Sequence, residues 1–288
     1  MSDDHGAGSD EVIGEGRVAV VTGGASGIGR ALCRGLGAQG SSVVVADLDE
    51  AGAAAVADEI TAAGGTAMAS AVDVADAGSV STLAQEVVDR LGHVELVVNN
   101  AGVSTFNLLQ DQTLEDWRWV IDVDLWGVVH GVQAFLPVLR DQGTPAHVVN
   151  TSSMGGVMGG VPFIGPYVAA KQAVVGLSET LAVELAMQGS PVGVSVLCPG
   201  STDTAIMESE RVRPADRGNE ARTTDAESMR VAIKETFTGP TGLPPEVVAE
   251  RTIRAVRAKR FWIFPHPGER AVVEARVEAM LGAFTDWD

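Results

Sequence analysis

A tyrosine and a lysine four residues apart have the clearest chemical potential in this chain. Tyr167 and Lys171 lie in a segment whose apolar spacing predicts a helix, so both side chains leave the same helix face. A free tyrosine titrates at about 10. A nearby ammonium favours the phenolate, which would make Tyr167 a usable general base at neutral pH. The pair alone is weak evidence, because Tyr-x-x-x-Lys on an ordinary helix surface is common by chance.

A glycine cluster near the N-terminus has the composition of an anion-binding turn. The run 22–29 (TGGASGIG) separates a predicted strand from a predicted helix. Glycine lets the backbone turn sharply and approach a pyrophosphate, while the following helix presents free N–H groups and a positive dipole end. This placement favours dinucleotide binding over a merely tight strand–helix turn. The predicted contacts are Gly23, Ser26, Gly27, Ile28 and Gly29.

An acidic residue ends the second predicted strand at the place where a dinucleotide ribose would lie. Asp47 could accept hydrogen bonds from both adenosine ribose hydroxyls and would repel a 2′-phosphate. Arg30 is the only cation expected close to this site, and we expect it to point along its helix. We therefore predict NAD rather than NADP, the alternative being that Asp47 is only a solvated strand end.

Composition excludes several functional classes. A formal net charge of -18 argues against nucleic acid and anionic membranes as partners. The two cysteines are far apart and the five histidines are scattered, so neither a disulfide framework nor a metal site is predicted. Without a signal-like or membrane-spanning apolar run, the expected location is the cytoplasm.

Strand-like and helix-like segments alternate along the chain. Short apolar strands separated by helices predict a doubly wound parallel sheet of the Rossmann type, an α/β fold in a single domain. Predicted strands are 18–21, 42–46, 66–72, 95–98, 146–150, 192–197 and 261–264, and the main helices are 29–39, 51–63, 114–139, 166–187 and 245–258.

Two segments fall outside this alternation. Residues 1–15 are small and acidic, which predicts a flexible tail before the domain at 16–288. Residues 203–244 are polar and too long for an ordinary connection, which favours a substrate lid over a disordered insertion.

Taken together, the motifs resemble the short-chain dehydrogenase/reductase superfamily in its compact single-domain form, from Gly16 to about His266. Six motifs in order at fitting separations are far more specific than any one of them. They are TGGASGIG at 22–29, Asp73-Val74, NNAG at 99–102, Ser152-Ser153, YVAAK at 167–171 and Pro199-Gly200.

The resemblance implies a role for each matching position. Ser153 would hydrogen-bond the substrate oxygen and Tyr167 would transfer the proton. Lys171 would lower the tyrosine pKa and hold the nicotinamide ribose. The remaining cofactor contacts would be Asp73 and Val74 at the adenine, Asn100 on the adenosine side, and Pro199, Thr202 and Thr204 around the carboxamide and phosphates.

One position departs from the family pattern. Asp124 stands where the family has an asparagine whose main-chain carbonyl completes a proton relay through water. We predict Asp124 as a relay member, against the alternative that only its backbone matters. Replacement by asparagine should leave activity within a few-fold or raise it.

The substrate side is less specific. Apolar residues between the serine and the tyrosine suit a hydrophobic pocket, the core or a subunit contact: Met154, Val157, Met158, Val161, Phe163 and Ile164. We predict a hydrophobic or alicyclic secondary alcohol or its ketone, of steroid or terpenoid type. The alternatives are an NADPH-dependent ketone reductase and a non-catalytic NAD-sensing protein on the same fold. The resemblance also implies a homodimer or homotetramer formed through helices 114–139 and 166–187, with Trp117, Trp119 and Trp126 as candidate surface.

Overall fold

A single parallel sheet organises the computed structural model, which describes residues 11–218, 222–239 and 242–284. Within these ranges the sheet has seven strands in the order β3-β2-β1-β4-β5-β6-β7. The strands are β1 Val18–Thr22, β2 Ser42–Asp47, β3 Thr66–Ala71, β4 Leu96–Asn99, β5 Ala146–Thr151, β6 Val192–Leu197 and β7 Trp262–Ile263. All neighbouring pairs are parallel, which confirms the predicted Rossmann-type α/β fold.

Helices connect the strands and cover both faces of the sheet. Alternate residues of β1 explain this arrangement: Ala19 and Val21 pack into one apolar layer, while Val18 and Val20 pack into the other. Helices α1, α2 and α8 contribute to the first layer, and α3, α5 and α6 to the second. The helices are α1 Gly27–Ala38, α2 Glu50–Ala62, α3 Ala77–Leu91, α4 Leu114–Ile121, α5 Gly127–Asp141, α6 Gly165–Met187, α7 Thr224–Thr238, α8 Pro245–Arg257 and α9 Arg270–Leu281.

The predicted N-terminal tail extends too far into the chain. Val12 is 9% exposed and Ile13 is fully buried, and both belong to the apolar layer under α1 and α2. The Gly14 N–H donates to Ser41 Oγ at 3.0 Å, which fixes the entry into β1. The folded part therefore begins before the predicted boundary at 16, and residues 1–10 lie outside the described ranges.

The long helix predicted at 114–139 is not uniform. A five-residue π-helical turn, Asp122–Trp126, joins α4 to α5. Such turns admit an extra residue into the helix and often occur at functional sites. Here the turn contains Asp124, which is completely buried.

The segment predicted as an irregular lid contains helical structure. Residues Ala205–Val212 form 3₁₀ turns with a kink at Glu208, and α7 follows after residues outside the described ranges. The N-cap of α7 is Thr223, whose side chain accepts the Ala226 N–H. The polar composition of α7 hid it from sequence analysis, since it buries little apolar surface.

Candidate active site

The main cavity opens at the carboxyl ends of the strands. Its volume is about 630 Å³, and the loops after β1, β2, β3, β4, β5 and β6 contribute to its walls. From β1 the chain continues through α1 to β2 on one side of the sheet, whereas β4 and the strands that follow it lie on the other side of β1. The connections that leave β1 and β4 therefore diverge. A crevice at such a divergence is the usual ligand site of open α/β sheets.

The glycine loop forms one end of this cavity. Gly23 and Gly27 have φ values of +66° and +52°, a conformation that favours glycine. A Cβ at Gly23 would lie only 2.8 Å from the Ala101 Cα, and one at Gly29 would overlap the Gly23 carbonyl oxygen. Ser26 begins α1 without a side-chain cap, so among the described residues the first-turn N–H groups have no capping side chain. The loop therefore presents free donors to an anion.

Asp47 lies beside this loop at the end of β2. Its carboxylate accepts the Ala25 N–H and the Asp49 N–H, both at 2.9 Å. Arg30 points away from the cavity and pairs with Glu59 at 2.7 Å. The Asp47 side chain thus supports the glycine loop, and its negative charge faces the cavity and is not neutralised by Arg30.

Tyr167, Lys171 and Ser153 meet on the opposite wall. The Lys171 Nζ atom lies 5.5 Å from the Tyr167 ring centroid, and the Ser153 hydroxyl lies on the same cavity wall, where it lowers the pKa of the phenol. Ser153 Oγ also accepts the Gly155 N–H at 3.1 Å and lies 3.5 Å from the Pro199 carbonyl. Helix α6 positions the first two groups one turn apart, and the end of β5 positions the serine.

Behind this wall, Lys171 is held by a buried carboxylate. Its Nζ atom lies 3.1 Å from Asp124 Oδ2 and donates to the Thr151 carbonyl at 3.0 Å. The other Asp124 oxygen accepts the Val103 N–H at 2.8 Å. The aspartate side chain therefore links the loop after β4 to the ammonium, and its contribution is not limited to its backbone.

Electrostatics at this wall depend on burial as much as on charge. Burial raises the pKa of the Tyr167 hydroxyl, the Lys171 ammonium opposes that effect, and the Asp124 carboxylate adds to it. Burial disfavours the charge on Lys171, but Asp124 and Tyr167 outweigh it and raise the pKa of the lysine. Lys171 therefore acts on the tyrosine pKa in the expected direction, but in the protein chain alone desolvation exceeds the effect of the ammonium.

Comparison with known proteins assigns this arrangement to a family. The short chain dehydrogenase family model matches residues 17–214. The chain belongs to the short-chain dehydrogenase family. A short-chain dehydrogenase/reductase from Burkholderia phymatum in complex with NAD superposes with a TM-score of 0.90 at 37% identity, over 96% of this chain and 98% of that one.

Curated relatives of this short-chain dehydrogenase are named dehydrogenases. The C alpha-dehydrogenase of Sphingobium sp. is 34% identical over 266 residues, or 92% of this chain and 85% of the relative. The 1-deoxy-11-beta-hydroxypentalenate dehydrogenase of Streptomyces avermitilis is 36% identical over 248 residues, or 85% and 83%. The chain is therefore an oxidoreductase of this family, which uses a nicotinamide cofactor.

Most site residues predicted from sequence line this cavity. They are Gly23, Ser26, Gly27, Ile28, Asp47, Asp73, Val74, Asn100, Ser153, Tyr167, Lys171, Pro199, Thr202 and Thr204. Two do not: Gly29 packs beneath the glycine loop, and Asp124 lies behind Lys171. The Asn100 side chain donates to the Thr22 carbonyl at 3.0 Å, so it also supports the loop from below.

The apolar segment after Ser153 divides between the cavity and its surroundings. Four of its six predicted residues line the cavity, namely Met154, Met158, Val161 and Ile164. Phe163 instead stacks on Phe106, and its carbonyl accepts the Asn107 N–H at 2.9 Å. The ring stacking and the hydrogen bond hold Phe163 at a φ of +70°, directly before the helix that contains Tyr167.

Sequence analysis missed two contributors from the chain beyond β7. His266 is buried; its Nδ1 accepts the Gly200 N–H at 3.0 Å and its Nε2 lies 2.9 Å from the Ser201 carbonyl. Glu269 lines the cavity beside Gly200. Both lie about 70 residues from the loop that they contact, and no local motif marks them.

Other site types have no counterpart in the described ranges. No helix there is both long and apolar enough to cross a membrane. No group of three potential metal-ligating side chains occurs in the same ranges.

Proposed function

We propose that this protein interconverts a secondary alcohol and its ketone, with NAD as hydride acceptor or donor. The observation that carries the proposal is the convergence of Ser153, Tyr167 and Lys171 on a cavity that also contains the glycine loop and Asp47. These groups supply a proton donor or acceptor, a charge that stabilises phenolate and a hydrogen-bond donor for the substrate oxygen.

The residues present fit a dinucleotide. The uncapped first turn of α1 suits the pyrophosphate, and Asp47 suits the adenosine ribose. Leu48 follows Asp47 and is 57% exposed, so this edge offers a carboxylate and an apolar side chain to a 2′-phosphate. That combination favours NAD over NADP.

Each catalytic side chain has a distinct task. When bound, the nicotinamide supplies the carbon that exchanges hydride with the substrate. Tyr167 accepts the alcohol proton during oxidation and returns it during reduction. Lys171 stabilises the phenolate and would hold the nicotinamide ribose, while Ser153 would donate to the substrate oxygen. Asp124 acts as a positioning residue, since it fixes the ammonium from behind.

An apolar substrate suits the far end of the cavity. Met154, Met158, Val161 and Ile164 offer dispersion contacts and adaptable thioethers to a bulky ring system. The name of the Streptomyces avermitilis relative refers to a hydroxylated substrate, which agrees with a secondary alcohol of alicyclic, steroid-like or terpenoid-like type.

We call residues 203–244 the lid, and its described residues at 204–217 and 233–237 contribute to one side of the cavity. Two arginine ion pairs tie the lid to α4 and the π-helical turn. Arg213 lies 2.6 Å from Asp116 and 5.0 Å over the Trp119 ring, and Arg217 lies 2.8 Å from Asp122. Three further lid residues, Ala205, Met207 and Val212, line the cavity. We propose that the lid closes over the substrate and excludes water.

The predicted oligomer and location remain part of the proposal. Trp126, at the end of the π-helical turn, is 49% exposed, and Val183 and Met187 are exposed on α6. The segment 114–139 and α6 therefore both have apolar surface for a homodimer or homotetramer. Trp119, by contrast, is core. Cys33 and Cys198 are free and buried, as a cytoplasmic enzyme would allow.

A substrate panel tests the proposal. Initial rates with NAD+ and NADP+ should be measured on linear, cyclic, steroid and terpenoid secondary alcohols for the native protein and for Tyr167→Phe. We expect NAD+ reduction with at least one bulky alcohol and a loss of roughly 100-fold or more in the variant. NAD+ binding without turnover of any alcohol, or of the matching ketones with NADH, would contradict it.

A further inference from the structure

A carboxylate in the wall of the cavity has an oxygen atom without a hydrogen-bond partner among the described residues. Glu269 ends a short turn, Pro267–Glu269, immediately before α9. Its Oε2 atom is buried, and no hydrogen-bond partner for it exists among the described residues. A buried charged acceptor without a donor is costly, so a structure that keeps one usually supplies its partner from elsewhere.

The position of this carboxylate is fixed by the loop after β6. A side chain at position 200 would overlap both oxygens of Glu269, so the carboxylate packs directly on the Gly200 backbone. His266 fixes the same loop through its contacts with Gly200 and Ser201. The carboxylate and the loop therefore form one rigid part of the cavity wall.

This part of the wall adjoins the catalytic groups. Gly200 directly follows Pro199, whose carbonyl accepts the Met154 N–H at 2.8 Å and lies 3.5 Å from Ser153 Oγ. Glu269 lines the same cavity as Ser153 and Tyr167. A substrate whose oxygen contacts the serine would extend along a wall that holds one unpaired acceptor.

We propose that Glu269 is a specificity-determining residue that accepts a hydrogen bond from a second donor group on the substrate, a hydroxyl or an ammonium close to the reacting carbinol. This inference rests on the proposed alcohol–ketone function and narrows its substrate class. A site built around a buried acceptor discriminates strongly against analogues that lack the donor, because the acceptor is then left unpaired.

Three probes that share one carbinol test the proposal: 1-phenylethanol, 1-phenyl-1,2-ethanediol and 2-amino-1-phenylethanol. We expect the native protein to prefer the diol and the amino alcohol by roughly 10- to 100-fold in kcat/KM, the range of a hydrogen bond to a charged acceptor. Glu269→Gln should keep the preference for the diol and lose that for the ammonium. Glu269→Met should lose both preferences, so that the kcat/KM values of the three probes become similar.

Controls separate specificity from other roles. Glu274→Gln removes a carboxylate that pairs with Arg270 on α9, and it should leave all ratios unchanged. An equal loss on all three probes in Glu269→Met would overturn the proposal. A larger dissociation constant for NAD+ in Glu269→Met, with unchanged ratios of kcat/KM among the three probes, would also overturn it, because Glu269 would then contact the cofactor.

A binding measurement distinguishes failure of this inference from failure of the proposed function. Calorimetric titration of the NAD+-loaded Tyr167→Phe protein measures affinity for the diol and 1-phenylethanol without turnover. Tighter binding of the diol that disappears with added Glu269→Met supports the inference even if the native protein turns over no alcohol. Equal affinity for both probes refutes it even if turnover is observed.

Discussion

Replacing Asp47 by asparagine should change the cofactor preference of this dehydrogenase. The substitution keeps the side-chain shape and removes the charge beside the glycine loop. One oxygen remains to accept from Ala25 or Asp49, which currently donate to the two carboxylate oxygens at 2.9 Å. The substitution therefore removes the negative charge and one of these two backbone hydrogen bonds.

The expected magnitude follows from the two ribose hydroxyls and the 2′-phosphate. A hydrogen bond to a charged acceptor contributes about 1.5–3 kcal/mol and a neutral one about 0.5–1.5 kcal/mol, so NAD+ should lose about 2 kcal/mol, or roughly 30-fold in affinity. Repulsion between unit charges about 4 Å apart lies between about 1 kcal/mol in water and about 4 kcal/mol near a protein surface. For half-buried Asp47 we take about 2 kcal/mol, which tightens NADP+ roughly 30-fold and changes the preference by about 10³.

Tryptophan fluorescence titration with each cofactor measures both dissociation constants. Asp49→Asn is the matched control, because it removes a charge from the same loop where the side chain caps α2 through Gly52. It should leave the preference unchanged. If Asp47→Asn leaves the ratio of the two constants unaltered, Asp47 does not contact the ribose; an equal loss for both cofactors would assign it to loop support alone.

Two further predictions concern the residues behind and above the catalytic wall. Asp124→Asn should keep activity within a few-fold, because its amide oxygen still accepts the buried backbone N–H. Since the Asp124 charge raises the pKa of Tyr167, the ascending limb of the oxidation pH profile should move to lower pH. Ultraviolet titration of the chain's one tyrosine checks this directly, and a 100-fold loss of activity or a shift to higher pH would contradict it. Arg213→Met should raise KM roughly 10-fold with little change in kcat and should speed proteolysis of the lid, because it breaks the buried ion pair with Asp116. Arg118→Met is the control: it removes an exposed ion pair on α4 and should change neither KM nor the rate of proteolysis. An unchanged KM in Arg213→Met would refute the role of the lid.

Local pattern predicted the sheet because its signals are local. The central strands β1 and β5 are short runs buried on both faces, and a crossover helix such as α3 has its own apolar stripe. The failures also have a local cause. Val12 and Ile13 form an apolar pair too short to show any period, and the π-helical turn at 122–126 has the same composition as a regular helix.

The catalytic pair shows which features of the site the sequence predicts and which it does not. The spacing of Tyr167 and Lys171 determines that they share a helix face, and the glycines at 23 and 27 determine a turn that other residues would strain. The fold decides which groups surround them. The Asp124 carboxylate contacts Lys171 from 47 residues away, and burial, a property of the whole domain, outweighs the ammonium in setting the tyrosine pKa.

The sequence by itself therefore determined the alternation of the main strands and helices and the reacting groups, because these depend on residue type and short spacing. Tertiary structure alone decided which surfaces meet around the substrate. His266 and Glu269 reach the loop after β6 only because β7 lies beside β6, and Arg213 reaches Asp116 only because the lid folds back over α4. Hydrogen bonds and ion pairs act over a few ångströms, so contacts between distant segments exist only once the sheet has brought those segments together.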